Sequence, residues 1–195
     1  CRIVHLGDHV DRGPQSKQVL DFLLEACLDT RIIALCGNHD VAFLDFLAEP
    51  NATGLFARYG GEATARSYGV EIEFQPGPRL AAGHRALVEA VPEAHRSFLQ
   101  RLRFSVELGD FFFCHAGIRP GIALDRQLPQ DLIWIRDAFL DHRDSHPKVI
   151  VHGHTPAERP EMLPNRVNVD TGAYYTGVLT ALVIEGREKR ILQVK

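Results

Sequence analysis

No stretch of this sequence approaches the roughly 20 consecutive apolar residues that a bilayer-spanning helix needs. Nor does a basic start followed by a short apolar run mark a secretory signal, so no membrane partner is expected. An excess of charge of one sign is also missing: 22 lysines and arginines stand against 25 aspartates and glutamates, a net charge of −3. That balance argues against a polyanion-binding surface and excludes nucleic acid as the main partner. The four cysteines, at 1, 27, 36 and 114, show neither the paired spacing of a zinc site nor the density of a disulfide framework. Their settings in "EACLD", "IALCG" and "FFFCH" are apolar, which predicts buried free thiols and a cytoplasmic, reducing location. Internal repeats and low-complexity linkers are lacking as well.

What is present is a chain of 195 residues, 45% hydrophobic, read as a single domain over 1–195 with a buried core. Residues 2–7 read as a strand. Residues 16–28 carry the apolar pairs Val19/Leu20, Leu23/Leu24 and Cys27/Leu28 at the spacing of one helical face. "RIIALC" at 31–36 is a short continuous apolar run, expected as a strand covered on both sides. A helix is expected from near His39 to its stop at Pro50. From about 51 to 102 the texture changes to Ala, Glu and Arg with breakers at Gly60, Gly61 and "PGP", which predicts a mostly helical insertion. Strands are expected at 103–108 and 110–115 around a Gly109–Asp110 turn, then a helix over "PQDLIWIRDAF". "KVIVHG", "NRVNVD", "GVLTALVIEG" and "KRILQVK" read as further strands. The class is α/β.

Four short segments follow apolar strands: "LGDHVDRG", "CGNHD", "CHAGIRPG" and "HGHTP". Loops at strand ends can point polar side chains into one crevice. Asp8, Asn38, His115 and His154 then form a mixed oxygen and nitrogen set suited to manganese, iron or zinc. Gly7, Gly37 and Gly153 precede three of them and are expected to permit sharp turns. Each fragment alone is ordinary, a turn, a solvated histidine or a helix cap. Their joint order carries the signal.

"GDHVDRG", "GNHD", "HAG" and "GHTP", followed by "VNVDTGAYYTGVLTALVIEG", resemble the phosphoprotein phosphatase family of metal-dependent serine/threonine phosphatases. The likeness is to its bacterial members in particular, within the calcineurin-like metallophosphoesterase superfamily. The resemblance implies that superfamily's fold, packed mixed β-sheets flanked by helices, and two divalent metal ions, manganese before iron or zinc. It makes Asp8 the bridge between the metals and Asn38, His115 and His154 the other ligands of the second. It makes His39 the general acid, with Asp11 orienting its ring, and Arg12 and Arg136 the phosphate-gripping forks. Tyr175 would line the same pocket, with Tyr174 beside it leaving the choice open.

The implied reaction is direct attack of a metal-bridging hydroxide on a phosphate ester, the substrate a phosphoprotein or phosphopeptide. A dinucleoside polyphosphate hydrolase is the alternative; that type usually has alanine where Asp11 stands, so Asp11 favours the protein phosphatase. A non-catalytic phosphate-binding module is a third reading. The family's first motif, Gly-Asp-x-His-Gly, is absent. It is expected ahead of Cys1, so the first metal site reads as incomplete and the chain as lacking an N-terminal strand and helix. His9 stands where tyrosine is common and is expected to face away from Asp8. Cys36 and Asp40 stand where arginine and glutamate are frequent. Pro156 replaces the second histidine of the wider metallophosphoesterases. His84 and His95 read as part of the helical segment, His142 and His146 as a solvated loop, and His152 as a neighbour of the site.

Overall fold

The first apolar run forms β1 (Ile3–His5) and the second β2 (Ile32–Ala34), and they pair in parallel, Ile3 opposite Ile32 and His5 opposite Ala34. Parallel neighbours need a crossover, supplied by α1 (Ser16–Ala26). In this computed structural model residues 1–186 and 188–195 are described, and they divide into two compact units, Cys1–Arg103 and Phe104–Lys195.

In the first unit α2 (Asn38–Ala48) opens directly after β2 and buries Phe43, Phe46 and Leu47, the i, i+3, i+4 stripe of one helical face. Phe56 of α3 (Leu55–Arg58) packs against that stripe, its ring centroid 5.2 Å from Phe43 and 4.7 Å from Phe46. α4 (Gly61–Ser67), α5 (Pro78–Ala90) and α6 (Glu93–Gln100) complete the unit. Pro78 begins α5, where its missing N–H costs nothing. His95 is buried on α6 and bonded to the Tyr68 hydroxyl at 2.7 Å and to Asp21 at 3.0 Å. On α1 the core-facing stripe is narrower than the apolar pairs imply. Leu20 and Leu23 are buried, but Val19 and Leu28 are exposed.

The second unit holds a five-stranded mixed sheet. β3 (Ser105–Leu108) and β4 (Phe111–Cys114) form a hairpin, then β5 (Val149–His152), β6 (Glu161–Met162) and β7 (Arg166–Asn168) give the spatial order β3-β4-β5-β7-β6. β4, β5 and β7 run parallel, which aligns their C-terminal ends. The single helix expected over "PQDLIWIRDAF" is two, α7 (Pro129–Trp134) and α8 (Asp137–Leu140), broken where Arg136 leaves helical dihedrals (φ −131°, ψ −108°). A four-residue α9 (Ala173–Thr176) precedes the hairpin of β8 (Leu179–Glu185) and β9 (Glu188–Val194).

Two expectations about side chains need correcting. All four cysteines are free, but Cys1 is exposed and Cys27 half-buried; only Cys36 and Cys114 are buried, and burial pushes their thiols well up. His142 and His146 are not a solvated pair. Their rings stack at 5.0 Å, and His146 stacks on the buried Phe139.

Burial also holds the His152 imidazole, at the end of β5, down to about 4. An unfolded histidine titrates near 6.5, so between these values the unfolded state binds more protons. Stability should therefore fall as pH falls from about 6.5 to about 4, by roughly 3 kcal/mol in all. Urea unfolding at pH 7 and pH 4.5 reads that slope, and His152→Gln should flatten it.

Candidate active site

The first unit assembles Asp8, Asp11, Arg12, Asn38 and His39 from two loops, one after β1 and one leading into α2. The loops are tied by a residue the sequence reading gave no role. Asp40, fully buried, accepts backbone N–H groups from Asp8 (2.9 Å) and His9 (2.9 Å) across the fold and from Gly37 (2.8 Å) behind it. Burial pushes the Asp40 carboxyl up in pKa, and the facing His9 and the N–H donors pull it down. Its position, third in a helix that Gly37 caps, is the reach-back half of a capping box, the sequence signal that could have found it. His9 Nε2 lies 2.9 Å from the Leu35 carbonyl oxygen, and the backbone is not extended through Asp8, whose φ is 58°.

Among the described residues four non-glycines have positive φ: Asp8 (58°), Asp11 (74°), Arg12 (64°) and His154 (66°). All four are residues the motifs had singled out. Left-handed backbone costs a non-glycine residue roughly 1–3 kcal/mol and persists only where the surroundings impose it. Here the surroundings are visible: the Asp40 carboxylate holds Asp8, a tight Gly13 N–H to Asp11 carbonyl bond at 2.6 Å closes a γ-turn over Arg12, and Arg12 N–H donates to the Gly60 carbonyl at 3.2 Å.

His39 sits between its two neighbours. Its Nδ1 is 2.6 Å from Asp11 Oδ2 and its Nε2 is 3.0 Å from Arg12 Nη2. A guanidinium can only donate, so Nε2 accepts and Nδ1 carries the proton given to Asp11. Burial raises the Asp11 pKa, while the bonds from His39 and Thr64 lower it. The Asp8 carboxylate accepts the His39 backbone N–H at 3.0 Å, and Asn38, 3% exposed, opens α2 beside it.

The glycines divide by role. Gly7 (φ 101°) needs its freedom, and a Cβ there would stand 2.5 Å from Gly37 N. Gly37 is extended (φ −106°, ψ 174°) and makes no sharp turn; it is small because a Cβ would overlap the Asp8 backbone N and carboxylate. Gly153 needs neither, since its nearest such contact is 3.4 Å from Asp170 Cβ. Gly37→Ala should therefore cost about 1–3 kcal/mol in urea unfolding, whereas Gly153→Ala should stay within about 0.5 kcal/mol.

In the second unit His115 follows β4 and His154 follows β5, and the parallel pairing of these strands brings the rings together. Gly153 N–H donates to the His115 carbonyl at 2.8 Å. His115 Nε2 and His154 Nδ1 lie 3.2 Å apart. Two nitrogens each about 2.1 Å from one cation and so separated would subtend about 100° at it, between octahedral and tetrahedral edges. The donors therefore fit a transition-metal site. Trp134, to which the sequence reading gave no role, stands edge-on to His154 at 5.9 Å. Arg136 is exposed in the break between α7 and α8, and Tyr175 is 61% exposed on α9, its ring lying against Gly172.

The family model described as calcineurin-like phosphoesterase matches residues 3–179. The asymmetrical bis(5'-nucleosyl)-tetraphosphatase PrpE of Anoxybacillus flavithermus is 28% identical over 195 residues, covering 93% of this chain and 74% of that protein. The protein of the same name from Bacillus cereus strain Q1 is 26% identical with the same coverage. A solved structure described as a candidate diadenosine tetraphosphatase superposes with a TM-score of 0.67 at 18% identity, over 98% of this chain and 80% of that one, and shares its fold. These relatives are named for nucleotide substrates. That overturns the expectation of a phosphoprotein or phosphopeptide substrate, together with the weight placed on Asp11 against a dinucleotide hydrolase. In the structure Asp11 is bonded to the His39 ring, its Oδ2 2.6 Å from Nδ1. Since the family match takes in both loops of the first unit and both histidines of the second, and stops only at the C-terminal hairpin, the chain belongs to the calcineurin-like phosphoesterase family.

Proposed function

We propose that the chain hydrolyses dinucleoside polyphosphates, cutting the phosphate bridge off-centre, with divalent metal ions held by Asp8, Asn38, His115 and His154, manganese first among them. The observation that carries this reading is the match to asymmetrical bis(5'-nucleosyl)-tetraphosphatases over 93% of the chain. The mixed donor set and the 3.2 Å spacing of the histidine nitrogens support the metal. Bound cations would supply charge neutralisation and an activated water.

The chain's own groups have separate tasks. Arg12 and Arg136 hold phosphoryl oxygens as planar forks, and Tyr175 lines the substrate pocket. Asp11 fixes the His39 ring and its tautomer. Arg12 occupies His39 Nε2 in the free protein; its transfer to a phosphate would free that nitrogen to take up a proton from water, the ring's positive charge being matched by Asp11, and to pass that proton to the departing oxygen. As water adds to one phosphorus, a P–O bond of the bridge breaks and the bridging oxygen leaves on the remaining nucleotide. A leaving phosphate, whose second pKa is near 6, needs far less protonation than an alkoxide.

Incubation with diadenosine tetraphosphate and Mn(II), followed by anion-exchange separation, tests this. Equal AMP and ATP are expected. Two ADP, or an intact dinucleotide, would overturn the proposal.

A further inference from the structure

Thr64 lies on α4, in the segment that reads from sequence as an added helical region, and it is completely buried. Its hydroxyl grips Asp11 twice: it accepts the Asp11 backbone N–H at 2.8 Å and donates to Asp11 Oδ1 at 2.8 Å. A hydroxyl has one proton, and that proton is spent on Oδ1. The third contact, to Ser16 Oγ at 3.1 Å, must therefore have Ser16 as donor. Ser16 is itself buried at the start of α1.

The bonds form a directed chain. Ser16 donates to Thr64 and Thr64 donates to one oxygen of Asp11. The other Asp11 oxygen takes the Nδ1 proton of His39 at 2.6 Å. Asp11 stands at φ 74°, a conformation an aspartate holds only if something imposes it, and the Thr64 hydroxyl bonds both its backbone and its carboxylate. Next along, Arg12 N–H bonds the Gly60 carbonyl, and a Cβ on Gly60 would collide with Arg12 N. The segment from Gly60 to Thr64 thus braces both groups that grip His39.

We infer that Thr64 is a positioning residue for His39, acting through Asp11, with Ser16 orienting its hydroxyl. The inference rests on the proposed function only in naming proton donation to the leaving oxygen as the task of His39.

The test compares Thr64→Val, isosteric but without the hydroxyl, with Thr64→Ser, which keeps it. In metal-free protein the Nδ1 proton of His39, assigned by its loss in His39→Gln, should give a downfield NMR resonance in the wild type and in Thr64→Ser. It should be broadened or lost in Thr64→Val. With Mn(II), Thr64→Val should lower kcat for phenyl phosphate about tenfold more than for p-nitrophenyl phosphate, because a displaced acid matters most for the poorer leaving group. KM should change little, and Thr64→Ser should recover both values. Ser16→Ala should show the same pattern more weakly, and it preserves the test if Thr64→Val does not fold. A wild-type resonance and wild-type kcat ratio in Thr64→Val, or a Thr64→Ser as impaired as the valine variant, would overturn the inference. If the wild-type chain turned over no phosphate compound, the proposed function would fail while the resonance still decided the role of Thr64.

Discussion

Replacing Asp8 with asparagine should lower metal-dependent hydrolysis by about three orders of magnitude or more, with a folded protein left behind. The charge is what matters. A metal-centred phosphoesterase draws several kcal/mol of transition-state stabilisation from its cations, and each 1.36 kcal/mol is tenfold in rate. Asparagine keeps everything else Asp8 does in the fold. It tolerates the left-handed backbone at φ 58°, its N–H still reaches the Asp40 carboxylate, and its side-chain oxygen can still accept the His39 N–H. Asp8→Ala should lose the same activity and roughly 1 kcal/mol of stability besides, because alanine is strained at positive φ. Metal content by atomic emission and turnover by product separation check both variants. Full activity in Asp8→Asn would remove this residue from the metal site.

His39→Ala should slow hydrolysis by about 10²- to 10⁴-fold for alkyl phosphates, the usual worth of a positioned acid. The loss should be clearly smaller for diadenosine tetraphosphate. The difference follows from the leaving group: an alkoxide must be protonated as it departs, while a phosphate oxygen can leave as the anion. The variant should fold, since the ring's partners Asp11 and Arg12 keep other bonds, Asp11 to Thr64 and Arg12 to Gly60. Parallel kcat measurements on the two substrate types read the ratio. Equal losses on both would mean that His39 serves to place Arg12 rather than to donate a proton.

Much of this arrangement was legible in the residue string because its signals are local. Apolar runs of strand length ending in Gly-Asp or Gly-Asn-His show where the loops fall, and β1, α1, β2 and α2 lie where periodicity puts them. The two-residue β6 and the four-residue α9 carry no period to detect. The break at Arg136 lies inside an unbroken helical pattern. Two supports of the site were hidden for a different reason. Asp40 meets Asp8 across 32 positions and Thr64 meets Asp11 across 53. Neither partnership has a spacing rule, so only the folded chain shows it, although the capping-box position of Asp40 marks that residue itself in the sequence. The positive φ of Asp8, Asp11, Arg12 and His154 was equally invisible, because these residue types, unlike glycine, do not announce it.

Anomalous scattering from crystals of the chain soaked in Mn(II) tests whether Asp8, Asn38, His115 and His154 hold one cation. A manganese peak is expected, bonded by His115 Nε2 and His154 Nδ1 and also by the side chains of Asp8 and Asn38. A map with no peak at the two histidines, or a peak there that Asp8 and Asn38 do not reach, would contradict that expectation.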